Sequence, residues 1–223
     1  MAIRSEAREV GAFSRLNFGG VGELVLNQGD AEMLTIEADE EVLADIRCEV
    51  RNDTLYLGYK PVGILKMLFQ AGKPIRINVT MVNIVEVTSS GAGNLRAPAI
   101  NTSQLVLNTS GVGNITVGQL TADELDATIS GTGSITLAGQ VRRQKLSLSG
   151  VGSYRAADLE SETAEVSIAG TGSAVVWAVE TLEMVLSGVG SLEYYGNPRM
   201  QQQITGMSRV RGRGVKQVGA QTS

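Results

Sequence analysis

The chain of 223 residues contains no histidine, one cysteine and four prolines, and aromatic residues make up only 4% of it. Without histidine, the commonest general base and the commonest nitrogen ligand for metals are missing. The one thiol, Cys48, cannot form an internal disulfide, and its place in the alternating stretch 46–50 indicates a small buried hydrophobic side chain. The 43% of hydrophobic residues must build a core mainly of Val, Ile, Leu and Ala. No set of residues suggests a catalytic, cofactor or metal site.

Glycine, by contrast, is abundant at 27 residues, and many of these glycines belong to one repeated motif. The motif is Ser-Gly-x-Gly followed by Asn or Ser, and it recurs every 18–20 residues. Six clear copies begin at Ser90, Ser110, Ser130, Ser149, Ala169 and Ser187, and a weaker seventh copy begins at Thr205. The paired glycines are predicted to form structural corners. They are Gly91, Gly93, Gly111, Gly113, Gly131, Gly133, Gly150, Gly152, Gly170, Gly172, Gly188 and Gly190.

The residues around each corner alternate between apolar and polar side chains. Positions three and five before the corner are mostly apolar, whereas positions two and four before it are mostly polar. The alternation resumes after the corner, so each repeat should contain at least two short strands with one buried face. A third strand is expected around Leu120, Leu159 and Val179. The position four before the corner also contains an acidic row, formed by Glu86, Asp126, Glu165 and Glu183.

A repeat of this length cannot bury its own apolar face, but stacked repeats bury equivalent positions in one continuous column. The predicted fold is therefore all-β: a single-stranded right-handed parallel β-helix, or β-solenoid, with six to seven coils and an irregular β N-terminal part. We expect the glycines to bend the chain, because glycine adopts positive φ at little cost, and to let adjacent coils approach closely. The corner serines, and the Asn or Ser four residues later, should form polar ladders along one edge.

Composition divides the chain into four parts. Residues 1–12 are predicted to be disordered or close to a leader, and residues 13–87 to form an irregular β start or cap of the solenoid. Residues 88–210 form the repetitive β-helix, and residues 211–223 form a basic C-terminal tail. Within the second part, residues 40–44 suggest a short helical turn.

The segment 62–69 breaks the alternating pattern and is the most apolar stretch of the chain. One interpretation is a short helix or loop that plugs the solenoid end. The other is an exposed apolar patch that contacts a partner or a second subunit. The candidate contact residues are Ile64, Leu65, Leu68 and Phe69.

Charge is unevenly distributed along the chain, whose net charge is −4. Residues 1–60 contain 12 acidic and 6 basic side chains, whereas no acidic residue follows Glu193. The basic residues beyond it favour a solvated or frayed tail, with binding to an anionic surface as the alternative. Because no aromatic residues are interleaved with them, nucleic-acid binding is not expected. These basic residues are Arg199, Arg209, Arg211, Arg213 and Lys216.

The glycine corners, together with the segments from Phe13-Ser-Arg-Leu16 to Leu26-Asn-Gln-Gly-Asp30 and Leu55-Tyr-Leu57, resemble a known bacterial family. It is the head (GIN) domain family of putative auto-transporter adhesins, a domain of unknown function. The resemblance extends from about Phe13 to about Val210 and implies a right-handed β-helix. Because members are often exported or lipid-anchored, it also implies the cell envelope or the extracellular space. Residues 1–15, however, look like neither a signal peptide nor a membrane anchor, and no later stretch is long enough to cross a membrane.

Three functions remain open from the sequence. The first is a non-enzymatic binding or adhesion module for a protein or glycan, which could also self-associate through a solenoid end. The second is a structural or assembly role in the cell envelope. The third is a polysaccharide-active enzyme, which would need paired carboxylates such as Glu165 and Glu183 in the acidic row.

Overall fold

A computed structural model describes residues 3–60 and 74–216 of the chain. The predicted all-β solenoid is confirmed: strands dominate, and they wind into about six turns. The short helix α1 covers Glu40–Leu43, where the sequence suggested a helical turn. The strands are β1 (Ile3–Arg8), β2 (Arg15–Phe18), β3 (Val21–Gln28), β4 (Met33–Asp39), β5 (Ile46–Arg51), β6 (Thr54–Tyr59), β7 (Arg76–Met81), β8 (Glu86–Ser89), β9 (Ala92–Asn101), β10 (Gln104–Thr109), β11 (Val112–Ile129), β12 (Thr132–Leu148), β13 (Val151–Ile168), β14 (Thr171–Leu186), β15 (Val189–Tyr195), β16 (Arg199–Ile204) and β17 (Met207–Gly212).

Each central coil is one long strand that bends and is interrupted only at the Ser-Gly corner. Strands β11, β12, β13 and β14 stack in parallel, so that Ile115 lies beside Ile135 and Gly113 beside Gly133. The expected two or three short strands are thus joined without a break in the backbone pairing. The bends show instead as register shifts, such as the one between Val117 and Leu120.

The inward rows predicted from the alternation are almost all buried, and they form one continuous core. Val179 is an exception, since it is 47% exposed while its neighbour Ala178 is fully buried. The strand expected around Val179 is present within β14, but Ala178 is the residue that points inward. The repeat is shorter here, and in the pairing of β13 with β14 Ser161 lies beside Ala178.

One inward group is polar and internally satisfied. Tyr154 is fully buried, and its hydroxyl donates to Oε1 of Gln144 at 3.0 Å. The amide of Gln144 donates to Oγ of Ser161 at 2.7 Å, and that hydroxyl donates to the carbonyl of Trp177 at 2.7 Å. Each buried polar atom in this chain of bonds therefore has a partner, as burial in an apolar core requires.

The solenoid begins earlier than the repeat indicated. Residues Gly19-Gly20-Val21-Gly22 form a first corner, because β2 and β3 stack in parallel under β8 and β9 with Gly22 beside Gly93. Strands β6 and β7 lie beneath this coil, with Leu55 directly below Leu16. The repeat did not reveal this corner, because an insertion of antiparallel strands separates it from the next one and hides the period.

The inserted strands close the N-terminal end. Strand β4 pairs antiparallel with β7, and β5 pairs antiparallel with β6 through a turn at Asn52 and Asp53, which both have positive φ. Strand β1 pairs antiparallel with β4, so residues 3–8 of the segment predicted to be disordered or close to a leader form an edge strand. The pairing with β4 supplies the backbone partners that order this segment. Such strands prevent uncontrolled pairing at the solenoid end.

Arg8 ties this cap together. Its guanidinium donates to the carbonyl of Leu43 and to that of Ile46, both at 2.8 Å, and to Sγ of Cys48 at 3.5 Å. Cys48 is partly exposed, so the prediction of a buried side chain was too strong. Burial nevertheless raises the pKa of its thiol.

The C-terminal coil consists of β16, which stacks on β14, and β17, which stacks on β15. The seventh corner copy is real, because Met207 and Ser208 stack on Val189 and Gly190. Of the predicted tail, Arg213 and Lys216 are held against the solenoid by ion pairs. Arg213 forms a bidentate pair with Glu193 at 2.6 and 2.8 Å, which anchors it to the coil below.

Candidate functional site

The corner glycines are structural. A Cβ atom added to any of the ten predicted corner glycines between Gly111 and Gly190 would lie 1.8–2.2 Å from a glycine carbonyl oxygen of the coil below. None of the twelve predicted corner glycines, all of which lie in the described part, has positive φ. The close-approach argument is therefore right and the positive-φ argument is wrong: the corner needs space between coils, not a left-handed backbone.

The expected polar ladder is present along part of the edge. The amide of Asn114 donates to Oδ1 of Asn94 at 2.9 Å, and Oγ of Ser134 donates to Oδ1 of Asn114 at 2.5 Å. These side chains bond to one another between coils. The ladder therefore supports the stacking.

The acidic row is interrupted by other residue types. Val106 separates Glu86 from Asp126, and Lys145 lies between Asp126 and Glu165. Only Glu165 and Glu183 stand side by side in adjacent coils, about 4.8 Å apart by strand spacing. Both are exposed. The row brings one pair of carboxylates together on an open surface.

The predicted partner-contact residues Ile64, Leu65, Leu68 and Phe69 lie outside the described residues. The described chain leaves β6 at Lys60, whose amide donates to the carbonyl of Asp45 at 2.9 Å. It returns at Ile75, whose carbonyl accepts from the amide of Glu23.

A concave site that the sequence did not single out lies on the outer face of this N-terminal coil. Tyr56 projects outward from β6, 45% exposed, beside Asn17 in β2 and Glu49 in β5. Around it is a cleft of about 570 Å³. A second cleft of about 310 Å³ adjoins the first and also contains Asn17, Asn52 and Tyr56 in its wall. We call the two together the Tyr56 cleft.

The floor of the Tyr56 cleft is open because glycines replace side chains there. Gly58 follows Tyr56 on the same face of β6, and a Cβ on it would meet nothing within 4 Å. Gly19 also borders the space. Opposite Gly58, Arg47 projects from β5. The outcome is a shallow depression with an aromatic ring on one side and a guanidinium on the other.

Charges and hydroxyls fix the cleft walls. Arg51 pairs with Glu49, and this hydrogen bond lowers the pKa of the Glu49 carboxyl. Arg47 lies in the same wall, and its charge also helps to lower the pKa of Glu49. The hydroxyl of Tyr59 donates to the carbonyl of Val21 at 3.0 Å. Burial raises the pKa of Tyr59 to about 12.

Hydroxyl, amide and carboxylate groups continue the wall along the sheet. Arg15 lies 3.6 Å from Glu86, which accepts from Thr88 at 3.2 Å and from Asn108 at 3.3 Å. The cleft therefore runs into a flat polar face. The signal for it in the sequence was weak: one outward aromatic residue between Leu55 and Leu57.

Other openings offer less. A cleft of about 520 Å³ near Gln28, Asn101 and Gln119 contains no aromatic side chain in its wall. In the part of the chain described by the structure, no group of three or more acidic or cysteine side chains is placed to hold a metal ion. Within the described ranges, no helix is long and apolar enough to span a membrane.

The fold is similar to that of several solved proteins. A crystal structure of a putative adhesin from Bacteroides fragilis superposes with a TM-score of 0.86 at 24% identity, covering 95% of this chain and 97% of that one. A putative lipid binding protein from Parabacteroides distasonis has a TM-score of 0.71 at 20% identity, with 94% and 96% covered. A putative adhesin from Parabacteroides merdae has a TM-score of 0.71 at 21% identity, with 94% and 95% covered.

At these identities the solved structures establish the fold alone. A comparison with curated protein sequences found no match. The family comparison is more informative, because one family model matches residues 12–198 and therefore most of the chain. Its description is "Putative auto-transporter adhesin, head GIN domain", which agrees with the resemblance seen in the glycine corners. The chain belongs to this family of adhesin head domains.

Proposed function

We propose that the protein is a non-enzymatic binding module of the adhesion type, and that it holds a carbohydrate chain in the Tyr56 cleft. The observation that carries this proposal is the exposed ring of Tyr56 beside a glycine-floored depression of about 570 Å³. Sites for small ligands are concave, with aromatic surface and a few directional polar groups. Family membership supports the adhesion role.

The chemistry of the cleft suits a sugar ring. The C–H face of a pyranose packs against an aromatic ring, whose face carries partial negative charge. The hydroxyl groups of the sugar need hydrogen-bond donors and acceptors, which the side-chain amides of Asn17 and Asn52 provide next to Tyr56. Arg47 adds a cation that favours a carboxylate or sulfate on the sugar.

The open shape supports binding to a chain and not to a single enclosed sugar. The two parts of the cleft adjoin, and they lead to the polar face around Thr88 and Asn108. Successive residues of a glycan can extend along this face. Strands β2 and β6 beneath it are fixed by backbone pairing on both sides, so little ordering entropy is lost there on binding.

A glycan array with the full chain, followed by calorimetry on the best glycan, tests the proposal. Tyr56→Ala should weaken binding about tenfold, because it removes the stacking surface. Tyr56→Phe should bind within about threefold of the unsubstituted protein, since the ring remains. Arg47→Ala removes the cation of the cleft wall. Its matched control is Arg155→Ala, which removes an exposed arginine outside the cleft.

Three results would contradict the proposal. If Tyr56→Ala binds the same glycan equally well, the site is elsewhere. If no glycan binds while a protein is captured in a Tyr56-dependent manner, the cleft binds a protein instead. If a bound glycan is cleaved, the module is an enzyme, and the pair Glu165 and Glu183 becomes the first place to look for the carboxylates.

A further inference from the structure

The last coil of the solenoid has an exposed interior. Met200 and Ile204 of β16 stack on Leu182 and Leu186, which are both fully buried. In the last coil, however, the two side chains are 46% and 41% exposed. Gln202 completes this inward row and stacks on Met184. Among the described residues, no strand covers them, so the hydrophobic column ends at an open surface.

Strand β16 is charged only at its first residue, Arg199. Gln201 stands where the three coils below have Glu183, Glu165 and Lys145. From Met200 to Ile204 the strand reads Met-Gln-Gln-Gln-Ile and is uncharged. Soluble proteins usually place lysine, other charges or proline on an exposed edge strand. The neighbouring edge strand β17 follows that rule, since it contains Arg209 and Arg211.

The tail that follows β17 runs away from the open coil. The carbonyl of Gly214 accepts from the amide of Gly196 at 3.0 Å. Lys216 then donates to the carbonyl of Ala157 at 2.9 Å and pairs with Asp158. Its ammonium lies 5.2 Å from the ring centre of Trp177. Because Asp158 belongs to a coil nearer the N-terminus, this path leads down the side of the solenoid and leaves β16 exposed.

We propose that two copies of the chain join end to end through β16, paired antiparallel about a two-fold axis at Gln202. In an antiparallel pair, residues directly opposite each other point to the same face of the sheet. Only a register centred on a residue therefore places inward side chains opposite inward ones. Centred on Gln202, it sets Met200 opposite Ile204 of the partner subunit and Gln201 opposite the partner's Gln203.

Gln202 has a specific role in this register. The coils below place only apolar residues at its position, among them Met184, Val166 and Leu146. A carboxamide both donates and accepts, so two copies facing each other satisfy one another across the axis. A single buried polar residue of this kind fixes the register and partner number of an interface. The exposed row becomes a continuous core through both chains.

The two-fold arrangement is favoured over a head-to-tail one. At the N-terminal end the edge strands β1 and β5 pair antiparallel with β4 and β6, and Arg8 bonds β1 to β5 through the carbonyl of Ile46. An open β16 edge would find no matching parallel coil there. Head-to-tail contacts also continue without limit and form fibres, whereas a two-fold pair is complete at two chains.

The proposal is tested by measuring the mass of the full chain in solution at about 50 µM, where a pair with micromolar affinity is formed. The unsubstituted protein should be a dimer. Gln202→Glu and Gln202→Lys should each be monomeric, with at least about 100-fold weaker association, because each places like charges opposite each other. An equimolar mixture of the two variants should form a dimer again, since the charges are then opposite. Gln140→Glu and Gln140→Lys change an exposed glutamine of a middle coil and should leave the dimer intact.

A cross-linking experiment provides an independent readout. Gln202→Cys, in a background where Cys48→Ser removes the native thiol, should form a disulfide with its own copy under mild oxidation. The Gln140→Cys control should not. A monomeric unsubstituted protein, growth into filaments, or a failure of the mixed charge variants to pair would overturn the proposal. None of these results depends on ligand binding by the Tyr56 cleft.

Discussion

Replacing Gly133 by alanine should destabilise the solenoid strongly, although it adds only one methyl group. Gly133 lies in the middle of the coil stack, beside Gly113 of the coil below. The added Cβ would lie 1.9 Å from the carbonyl oxygen of Gly113, whereas real Cβ contacts essentially never fall under 3.0 Å. The neighbour is backbone, so it cannot rotate away as a flexible side chain would.

The magnitude follows from the displacement that this contact requires. The two coils must separate locally by about 1 Å, which stretches the pairing next to the corner, including the bond from Thr132 N to Gly111 O at 2.9 Å. Losing one or two such bonds costs about 1 kcal/mol each, and overpacking adds about 1–3 kcal/mol. We expect a loss of about 3 kcal/mol. For a chain of this size the midpoint of thermal unfolding falls by about 6–12 °C.

Thermal unfolding followed by circular dichroism measures this loss, with two comparison variants. Gly11→Ala adds a methyl group where nothing lies within 4 Å, and it should change stability by less than about 0.5 kcal/mol. Gly133→Asn separates the two explanations of the corner, because asparagine tolerates a left-handed backbone better than alanine. If close approach is decisive, asparagine is at least as harmful as alanine. Equal melting of Gly133→Ala and Gly11→Ala would refute the argument.

Four further outcomes follow from single features of the core and cap. Tyr154→Phe and Gln144→Leu should each lower the free energy of unfolding in urea by about 1–3 kcal/mol, because each change leaves the other side chain without its hydrogen-bond partner. The double variant should lose less than the sum of the two, and strict additivity would argue against a coupled pair. Thr109→Val should stabilise by about 1 kcal/mol, since Oγ1 of Thr109 is the one buried side-chain polar atom without a partner among the described residues; a loss of stability would point to a missed hydrogen bond. Tyr59 should titrate near pH 12 when followed by absorbance, and titration near pH 10 would contradict its burial. Because its pKa in the folded protein is raised above 10.0, the stability that it contributes is complete below pH 10 and declines towards pH 12. Cys48 should react slowly with a disulfide reagent at pH 8, because burial raises its pKa; rapid reaction would show that it is exposed.

The repeated part of the fold was predictable because its period is short and its chemistry redundant. Val87, Leu107 and Ala127 share one row, and the alternation identifies that row in every copy. The glycine pairs mark the register independently. Two signals that agree at each coil leave little freedom in the pairing. Where the repeat shortens, the predicted strand around Val179 is still present, with Ala178 as the buried residue.

The N-terminal part was harder to predict because its pairing is not local. The first corner, from Gly19 to Gly22, stacks on a corner that begins at Ser90, and six strands, β3 to β8, lie between them in the chain. No fixed period relates the two. The direction of pairing also changes there from parallel to antiparallel, which alternation alone does not reveal. The Tyr56 cleft belongs to this part, so its residues could not be grouped from the sequence.

The same contrast suggests why the proposed binding cleft and the proposed pairing edge lie at the two ends of the solenoid. In the middle coils, glycine contacts hold successive backbones in one register, so every coil presents nearly the same outer face. A cleft needs a break in that uniformity, which the β5–β6 hairpin and the missing side chain at Gly58 provide. The open β16 edge lies at the other end of the stack.

If two chains join through the β16 edge, their Tyr56 clefts lie at opposite ends of the dimer. Such a molecule would bind two sites at once on a polymeric ligand, and its avidity would depend on pairing at Gln202. Gln202→Glu should therefore reduce retention on a surface coated with many copies of the glycan, while leaving the affinity for the single soluble glycan unchanged.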